Sequence, residues 1–384
     1  MLDFWGYLGK SSRGFKRYKK PLFMSDLHPS LLPNGLKDLL APQAEDEANI
    51  INRCMGVFSS FGYNRVKPPL VEFEECLLGA GPGETLSAQT FRMMDPVSGR
   101  MLGVRADTTA QIARIAGSRL GEEVRPLRLS YAADILRVKA SQLRPARQFC
   151  QVGCELIGGF KAKDDAEIML IALKSLSDCG VKNLSIDLTI PSLIDAIFEK
   201  EKLNQEDQNA FNALLQKRDR DALAAHDGKA ASYLVSLLDV SGVAESSMQA
   251  LKKLKLPTSV KDNVAQLNSI YEELTSALDA YNLNDISVTI DLIERRGFEY
   301  KKGVSFTIFS KDVRGELGRG GRYHIQYADG ANEAESATGF SLYMDSIMQA
   351  YVSNETQEFQ VTSEDESWGS IKAMQEQGLK VIRS

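Results

Sequence analysis

Residues 144–158 read RPARQFCQVGCELIG, and this stretch predicts a long strand that carries functional side chains. In a strand, alternate residues point to the same face of the sheet, so every second residue from Phe149 to Ile157 shares one side. That side includes the polar residues Gln151 and Glu155. Two interpretations follow from the pattern: a polar strand face in water, or a face that binds a ligand.

The segments on both sides of this strand predict a mixture of helices and strands. A helix is expected over 43–61, a hairpin over 90–105, and a helix from Asp107 or Thr108 to Gly117. The spacing also predicts an amphipathic helix over 163–179 that ends at a glycine. Further strands are expected at 127–138, 184–190, 286–292 and 303–309.

The composition along the chain predicts several domains. Residues 192–283 are rich in Ala, Leu, Lys, Asp, Glu and Gln at helical spacing, which predicts an inserted subdomain of four to six helices. The core would then consist of 31–191 and 284–350. Residues 351–384 are expected to form an acidic linker and a short helix–strand tail, and 1–30 a basic, disordered leader.

The overall charge gives little support for nucleic-acid binding. The net charge is −5 and the pI is about 5.5, whereas a large nucleic-acid footprint needs a basic face. The basic residues within 1–23 are interpreted as a disordered leader, with a nucleic-acid tail as the alternative. No run of about 18 apolar residues is present, so we expect no membrane partner and a cytoplasmic protein.

The cysteines and histidines do not form a metal-binding pattern. There are five cysteines at irregular spacing and three histidines. Cys150 and Cys154 lack the second pair of ligands that a zinc site needs. We therefore expect reduced thiols, no metal site and no cofactor.

A glycine cluster within residues 318–324, GRGGRYH, has no Gly-Lys-Ser/Thr sequence after it. It is therefore not a phosphate-binding loop. The pattern predicts a close strand–strand approach in which side chains do not fit.

Four segments, taken in order, resemble motifs of the class II histidyl-tRNA synthetases. The resemblance spans roughly residues 32–347, and it implies an α+β fold. That fold is a class II aminoacyl-tRNA synthetase-like core with an antiparallel sheet flanked by helices, plus an inserted helical subdomain. The matching segments are VKPPLVE at 66–72, VRADTTA at 104–110, Leu136-Arg137 with 144–158, and RRGFEY at 295–300.

The resemblance implies a pocket for free histidine. Such a ligand needs oxygen partners for its ammonium group, a cation or amide donor for its carboxylate, and an in-plane partner for its imidazole. By resemblance, Asp107, Thr109 and Gln151 would face the amino group. Glu155 would accept from the imidazole, and Arg296 would meet the carboxylate; the alternative for Arg296 is a surface charge.

Tyr300 is the last candidate in this histidine-binding set. The family signature has two tyrosines at this point, and the second helps to hold the imidazole. Here the pair is Tyr300-Lys301. A charged lysine cannot accept a hydrogen bond and repels a protonated imidazole.

The nucleotide site implied by the same resemblance is degenerate. Arg137 matches the arginine for the α-phosphate, but Lys139 stands where the family has an acid. The arginine of the last class II motif is replaced by Ser346, and a small residue of that motif by Tyr343. Arginine clamps stabilise the charge that develops during adenylate formation, so their loss argues against catalysis.

The sequence after Ser346 also argues against tRNA charging. It is short for an anticodon-binding domain, and residues 355–366 carry five acids and no base, which is a poor surface for RNA. An amino-acid pocket beside a broken nucleotide site resembles the regulatory-subunit family of short-form ATP phosphoribosyltransferase, the first step of histidine biosynthesis.

That resemblance implies a chain without catalytic residues. It also implies a dimer formed through the 66–72 region, a hetero-octamer with the separate catalytic subunit, activation of that subunit, and histidine feedback inhibition. Two alternatives remain: a divergent histidyl-tRNA synthetase, and a synthetase-like binding module with another client.

Overall fold

The computed structural model describes residues 31–79, 84–140, 144–295, 301–327, 334–351 and 359–383. The predicted basic leader over 1–30 lies outside these ranges, as do Arg296 and Tyr300.

The first part of the chain contains most of the predicted elements within a few residues of their expected bounds. A short 3₁₀ helix, Glu84–Gln89, lies between α2 and β3. The other elements of this part are α1 (Gln43–Ser60), β1 (Asn64–Arg65), β2 (Val71–Phe73), α2 (Glu74–Leu77), β3 (Arg92–Met94), β4 (Met101–Val104), α3 (Thr109–Ser118), β5 (Leu127–Leu136), β6 (Gln148–Ile157), α4 (Ala162–Asp178) and β7 (Leu184–Thr189).

The segment between β7 and the next strand of the core is almost entirely helical. We call residues 191–280, which follow β7 and precede the next strand of the core, the helical excursion. The division of the chain into domains stays a prediction. The elements are α5 (Pro191–Lys200), α6 (Gln205–Lys217), α7 (Arg220–Ala224), α8 (Lys229–Val240), β8 (Gly242–Val243), α9 (Ala244–Leu251) and α10 (Thr258–Ala280).

The chain then returns to strands that complete the central sheet. These elements are β9 (Ser287–Ile290), β10 (Lys301–Ser310), β11 (Gly318–Ile325), β12 (Glu335–Tyr343) and α11 (Met344–Ala350). The sheet has nine strands in the order β1-β5-β6-β12-β11-β10-β7-β9-β8. A separate three-stranded sheet has the order β2-β4-β3.

The prediction of an antiparallel sheet holds for its centre and is wrong near its ends. The strands from β5 to β7 in the sheet order pair antiparallel, whereas β1 pairs parallel with β5 and β7 with β9. The physical reason is connectivity. The helical excursion carries the chain from the end of β7 back to the start of β9, and a parallel pair requires a crossover of this kind.

The two faces of the sheet are covered differently. On one face, Cys154 and Leu156 of β6 belong to a large apolar core with residues of α1 and α4, such as Phe58 and Ile168. On the other face, Ile112 of α3 packs in a smaller cluster that includes the tyrosines of β5 and β11. The second face is the one toward which alternate residues of β6 carry their polar groups.

The glycine cluster at the start of β11 lies between β10 and β12, as the sequence predicts. A Cβ atom on Gly320 would lie 2.2 Å from the Phe306 ring and 2.5 Å from the Gly339 carbonyl oxygen. A side chain therefore has no room at this crossing.

The last part of the chain corrects one prediction. The acidic linker predicted at the start of residues 351–384 contains a strand, β13 (Phe359–Thr362). It pairs in parallel with β14 (Lys380–Arg383) across α12 (Trp368–Glu376). A strand whose partner lies a helix away in the sequence shows no local hairpin signal, which explains why it was missed.

Candidate functional site

Gln151 is the centre of a buried hydrogen-bond network at the start of α3. Its amide nitrogen donates to Asp107 Oδ2 at 2.8 Å. Its amide oxygen accepts from both the backbone nitrogen and the hydroxyl of Thr108, each at 3.1 Å. The Gln151 side chain is fully buried. The interpretation of this strand face as polar surface in water is therefore wrong.

Glu155 lies four residues after Gln151, on the same face of β6, and is also buried. Its Oε2 accepts a hydrogen bond from the Tyr323 hydroxyl at 2.8 Å, although β12 lies between the strands of these two residues. The side chain can cross because Gly339 stands opposite Glu155 in β12. A Cβ atom on Gly339 would lie 1.8 Å from Glu155 Oε2.

Tyr131 lies close to both acids of this network. Its hydroxyl lies 2.8 Å from Ser341 Oγ and 3.3 Å from the Phe340 carbonyl oxygen, and the ring is fully buried. Burial raises the pKa of the Tyr131 phenol well above its usual range, and the nearby carboxylates of Glu155 and Asp107 raise it further. The phenol therefore stays protonated.

We call the set Asp107, Thr108, Gln151, Glu155 and Tyr323 the amino-acid half of the site. Its charged members are two carboxylates, and the rest are neutral donors and acceptors. Such a set suits a cationic ammonium group and a ring N–H.

The remaining predicted histidine-binding residues fall partly outside this set. Thr109 is the first residue of α3 and is nearly buried, and its backbone nitrogen donates to Asp107 Oδ1 at 2.9 Å. Arg296 and Tyr300 lie outside the described residues. Their place in the site stays a prediction.

The predicted degenerate nucleotide residues lie together. Arg137, Lys139 and Ser346 line one cavity of about 200 Å³, with Gln89, Ala140, Arg144, Ala146, Gly315, Glu316 and Arg319. We call this cavity the nucleotide half of the site. It adjoins the amino-acid half, since Arg137 Nη2 lies 3.9 Å from Asp107 Oδ2.

Cations in the nucleotide half are engaged by acids of the chain itself. Arg144 lies 3.2 Å from Asp345 and 3.5 Å from Glu316, and Arg319 lies 2.6 Å from Glu316. The Arg144 guanidinium also stacks on the Tyr343 ring, 3.8 Å from its centroid. Two of the cations that line the cavity are therefore paired with acids.

Burial changes the titration of the groups beneath this cavity. It raises the pKa of the Asp345 carboxyl, and the neighbouring Arg144 opposes the rise. Burial also raises the pKa of the Tyr343 phenol. An exposed Lys139 stands at the mouth, where the resemblance expects an acid.

Several residues of the site were missed by sequence reasoning. Thr108 and Tyr323 stand inside quoted motifs, but only the strand register shows that they bind Gln151 and Glu155. Gly339 contributes by having no side chain, and a single sequence carries no signal for that role. Arg319 and Glu316 could be suspected only as a charged pair near the glycine cluster.

The described part of the chain contains neither a metal-binding cluster nor a membrane-spanning helix. Among those residues, no group of three or more His, Cys, Asp and Glu side chains could hold a metal ion. None of the helices described there is long and apolar enough to span a membrane.

Comparison with known proteins places the chain in a family. Residues 35–347 match the family described as Histidyl-tRNA synthetase. A protein of Rhodospirillum centenum named ATP phosphoribosyltransferase regulatory subunit is 47% identical over 321 residues, which cover 84% of this chain and 80% of that one. The namesake from Paramagnetospirillum magneticum is 45% identical, over 84% of this chain and 82% of its own.

The chain belongs to the ATP phosphoribosyltransferase regulatory subunit family. The similar solved structures agree with the fold of this family. One from Bacillus halodurans, titled ATP phosphoribosyltransferase regulatory subunit/histidyl-tRNA synthetase, has a TM-score of 0.79 at 24% identity and covers 94% of each chain. A histidyl-tRNA synthetase from a Nostoc species has a TM-score of 0.75 at 16% identity, covering 94% of this chain and 86% of the other. The class II synthetase-like fold is thereby confirmed.

Proposed function

We propose that this chain is the non-catalytic regulatory subunit of a short-form ATP phosphoribosyltransferase and that it binds histidine as the feedback signal. The observation that carries the proposal is the contrast within one site. The amino-acid half is a largely buried hydrogen-bond network, whereas arginines lining the nucleotide half form ion pairs with acids of the chain itself. Membership of the regulatory subunit family supports the same function.

Histidine would bind with its ammonium group toward Asp107 and its imidazole toward Glu155. Hydrogen bonds orient both carboxylates: Gln151 and the Thr109 amide donate to Asp107, and Tyr323 donates to Glu155. Carboxylate oxygens oriented in this way suit an ammonium group and a ring N–H. Arg296 would supply the cation for the ligand carboxylate.

The proposed absence of catalysis follows from the nucleotide half. Adenylate formation needs unpaired cations aimed at the phosphates. Here Arg144 and Arg319 face acids, and Ser346 contributes a hydroxyl in place of a guanidinium. Loss of a single such donor costs about 2–4 kcal/mol of transition-state stabilisation. Three departures in one cavity would remove useful adenylation.

The proposed regulation is linkage between two states of the complex. Histidine would bind the inhibited state more tightly than the active one, with a coupling free energy of about 1–3 kcal/mol.

The self-association implied by the resemblance would use the 66–72 region. Support comes from an open, mostly apolar groove of about 570 Å³ there, lined among others by Pro68, Val71 and Leu102.

Co-purification with the short catalytic subunit, followed by an assay of phosphoribosyl-ATP formation, tests this function. We expect a stable complex, a higher rate than that of the catalytic subunit alone, and inhibition by added histidine. Histidine-dependent exchange of pyrophosphate into ATP by the isolated chain would contradict the proposal and indicate a working synthetase.

A further inference from the structure

The segment Asp291–Arg295 follows β9 and precedes Arg296. The end of β7 holds it through the Asp291 amide to the Leu188 carbonyl and the Thr189 hydroxyl to the Glu294 carbonyl, and the helical excursion supplies its other contacts. At its start, Asp291 forms an ion pair with Arg218, which follows α6. The Asp291 side chain is 10% exposed, so its charge is largely withdrawn from water. A carboxylate in that position depends on its partner far more than a surface acid does.

The other end of the segment is held by two more residues of the excursion. Arg295 Nη1 donates to Asn212 Oδ1 of α6 at 3.1 Å, and Arg295 Nη2 lies 2.5 Å from Asp195 of α5. In the middle, the Leu292 backbone nitrogen donates to Ser241 Oγ, just after α8, at 3.3 Å. Contacts from three separate helices therefore converge on five consecutive residues.

The backbone of Arg218 gives an independent reason to assign it a specific role. Its φ is +54°, in the left-handed region that ends many helices and favours glycine. A non-glycine residue there is strained, whereas glycine would end α6 without strain.

The charges around Arg218 show what its side chain neutralises. Asp187, Asp291 and Glu294 all lie within electrostatic range of its guanidinium. The pKa of Asp187 is raised to about 6, chiefly by burial and also by the charge of Asp291, while the Thr289 hydroxyl and Arg218 oppose the rise. Without the Arg218 guanidinium, the carboxylates of Asp187, Asp291 and Glu294 would repel one another where the segment leaves the sheet.

From these contacts we infer that the helical excursion fixes the path of the Asp291–Arg295 segment, and that Arg218 is a positioning residue for histidine binding. This inference rests on the proposed function, because Arg296, which follows the segment directly, is the residue proposed to meet the ligand carboxylate. Arg218 touches no ligand itself. Its effect passes through Asp291 and the chain that follows.

The test is Arg218→Gly, measured by histidine titration calorimetry and thermal unfolding of the full chain. Glycine removes the guanidinium but suits the backbone conformation, so strain relief offsets the lost ion pair and the melting temperature should stay within about 3 °C. The histidine Kd should rise by about three- to thirtyfold. Arg218→Lys, which keeps the charge but loses the planar fork, should recover part of that loss.

Arg220→Gln is the matched control, because Arg220 pairs with Asp239 on the surface of the same excursion and does not contact the segment. Its Kd should stay within about twofold of the wild-type value. An unchanged Kd in Arg218→Gly, or an equal rise in both variants, would overturn the positioning role.

A ligand-free measurement separates this inference from the proposed function. Amide hydrogen exchange at Leu292 and Ile293 should be faster in Arg218→Gly than in Arg220→Gln, since these amides bond to Ser241 and Asp291. If the wild-type chain does not bind histidine, the proposed function is wrong. The exchange rates of the two variants would still test whether Arg218 positions the segment. Equal exchange in the two variants would refute the positioning role.

Discussion

The two halves of the site lie side by side on one sheet, yet they are built in opposite ways. In the amino-acid half, Asp107 and Glu155 are oriented by hydrogen bonds from Gln151 and Tyr323. In the nucleotide half, cations are paired with acids and one of them stacks on an aromatic ring. The cavity rim and the hydrogen-bond network beneath α3 are therefore held by different kinds of contact.

The difference also predicts unequal tolerance to substitution. Each member of the buried network satisfies another, so removal of one leaves a desolvated polar group at a cost of about 1–3 kcal/mol. Arg319 and Lys139 at the rim are more exposed and can turn toward water when a partner is lost, and exposed pairs contribute only about 0–1 kcal/mol. The following substitutions test this contrast, from the largest expected effect to the smallest.

Gly339→Ala should have the largest effect, because the new Cβ would meet Glu155 Oε2 at 1.8 Å and the Cys154 carbonyl oxygen at 2.6 Å. The second contact is with backbone and cannot be relieved by a rotamer change. We expect a loss of about 3 kcal/mol in the free energy of unfolding, measured in urea. Gly56→Ala is the control: a Cβ there meets nothing within 4 Å inside α1, so the variant should be slightly more stable. Equal stability of the two variants would contradict the close approach of β6 and β12.

Gln151→Ala should have the next largest effect, which is on the affinity for histidine. The substitution removes the donor to Asp107 and the acceptor for Thr108. We expect histidine affinity to fall by roughly 30- to 150-fold, equivalent to about 2–3 kcal/mol, in a calorimetric titration. Arg319→Gln in the nucleotide half is the comparison and should change the affinity by less than about threefold. If the two variants lose the same affinity, the halves are not energetically distinct.

Lys139→Glu should have the smallest effect, although it reinstates the acid that synthetases carry. The side chain is exposed, so the free energy of unfolding should change by no more than about 0.5 kcal/mol. No ATP binding should appear, since Ser346 and the ion pairs of Arg144 and Arg319 are unchanged. Detectable ATP binding in an equilibrium dialysis assay would show that Lys139 alone, and not the whole cavity, prevents nucleotide binding.

The long strands were predictable because their signals are local. A period of two along residues 148–157 fixes which side chains share a face, and the structure places Gln151 and Glu155 together as expected. The helices of the excursion repeat apolar residues at helical spacing, which is a property of single segments.

What the sequence could not show depends on pairing between distant strands. The role of Gly339 follows from its register between Glu155 and Gly321, and Tyr323 reaches Glu155 only across that glycine. The ion pairs of the nucleotide half form because the fold brings together Arg144, Glu316 and Asp345 from three separate parts of the chain. Parallel pairs such as β7 with β9 likewise leave no hairpin signature in the sequence.

The most direct test of the central claim is a calorimetric titration of histidine into the wild-type chain, in the presence and in the absence of ATP and magnesium. An intact amino-acid half beside a closed nucleotide half predicts saturable binding of one histidine per chain, with the same Kd in both conditions. No heat at millimolar histidine would contradict the retained amino-acid pocket. Tighter binding in the presence of ATP would show that the nucleotide half still works.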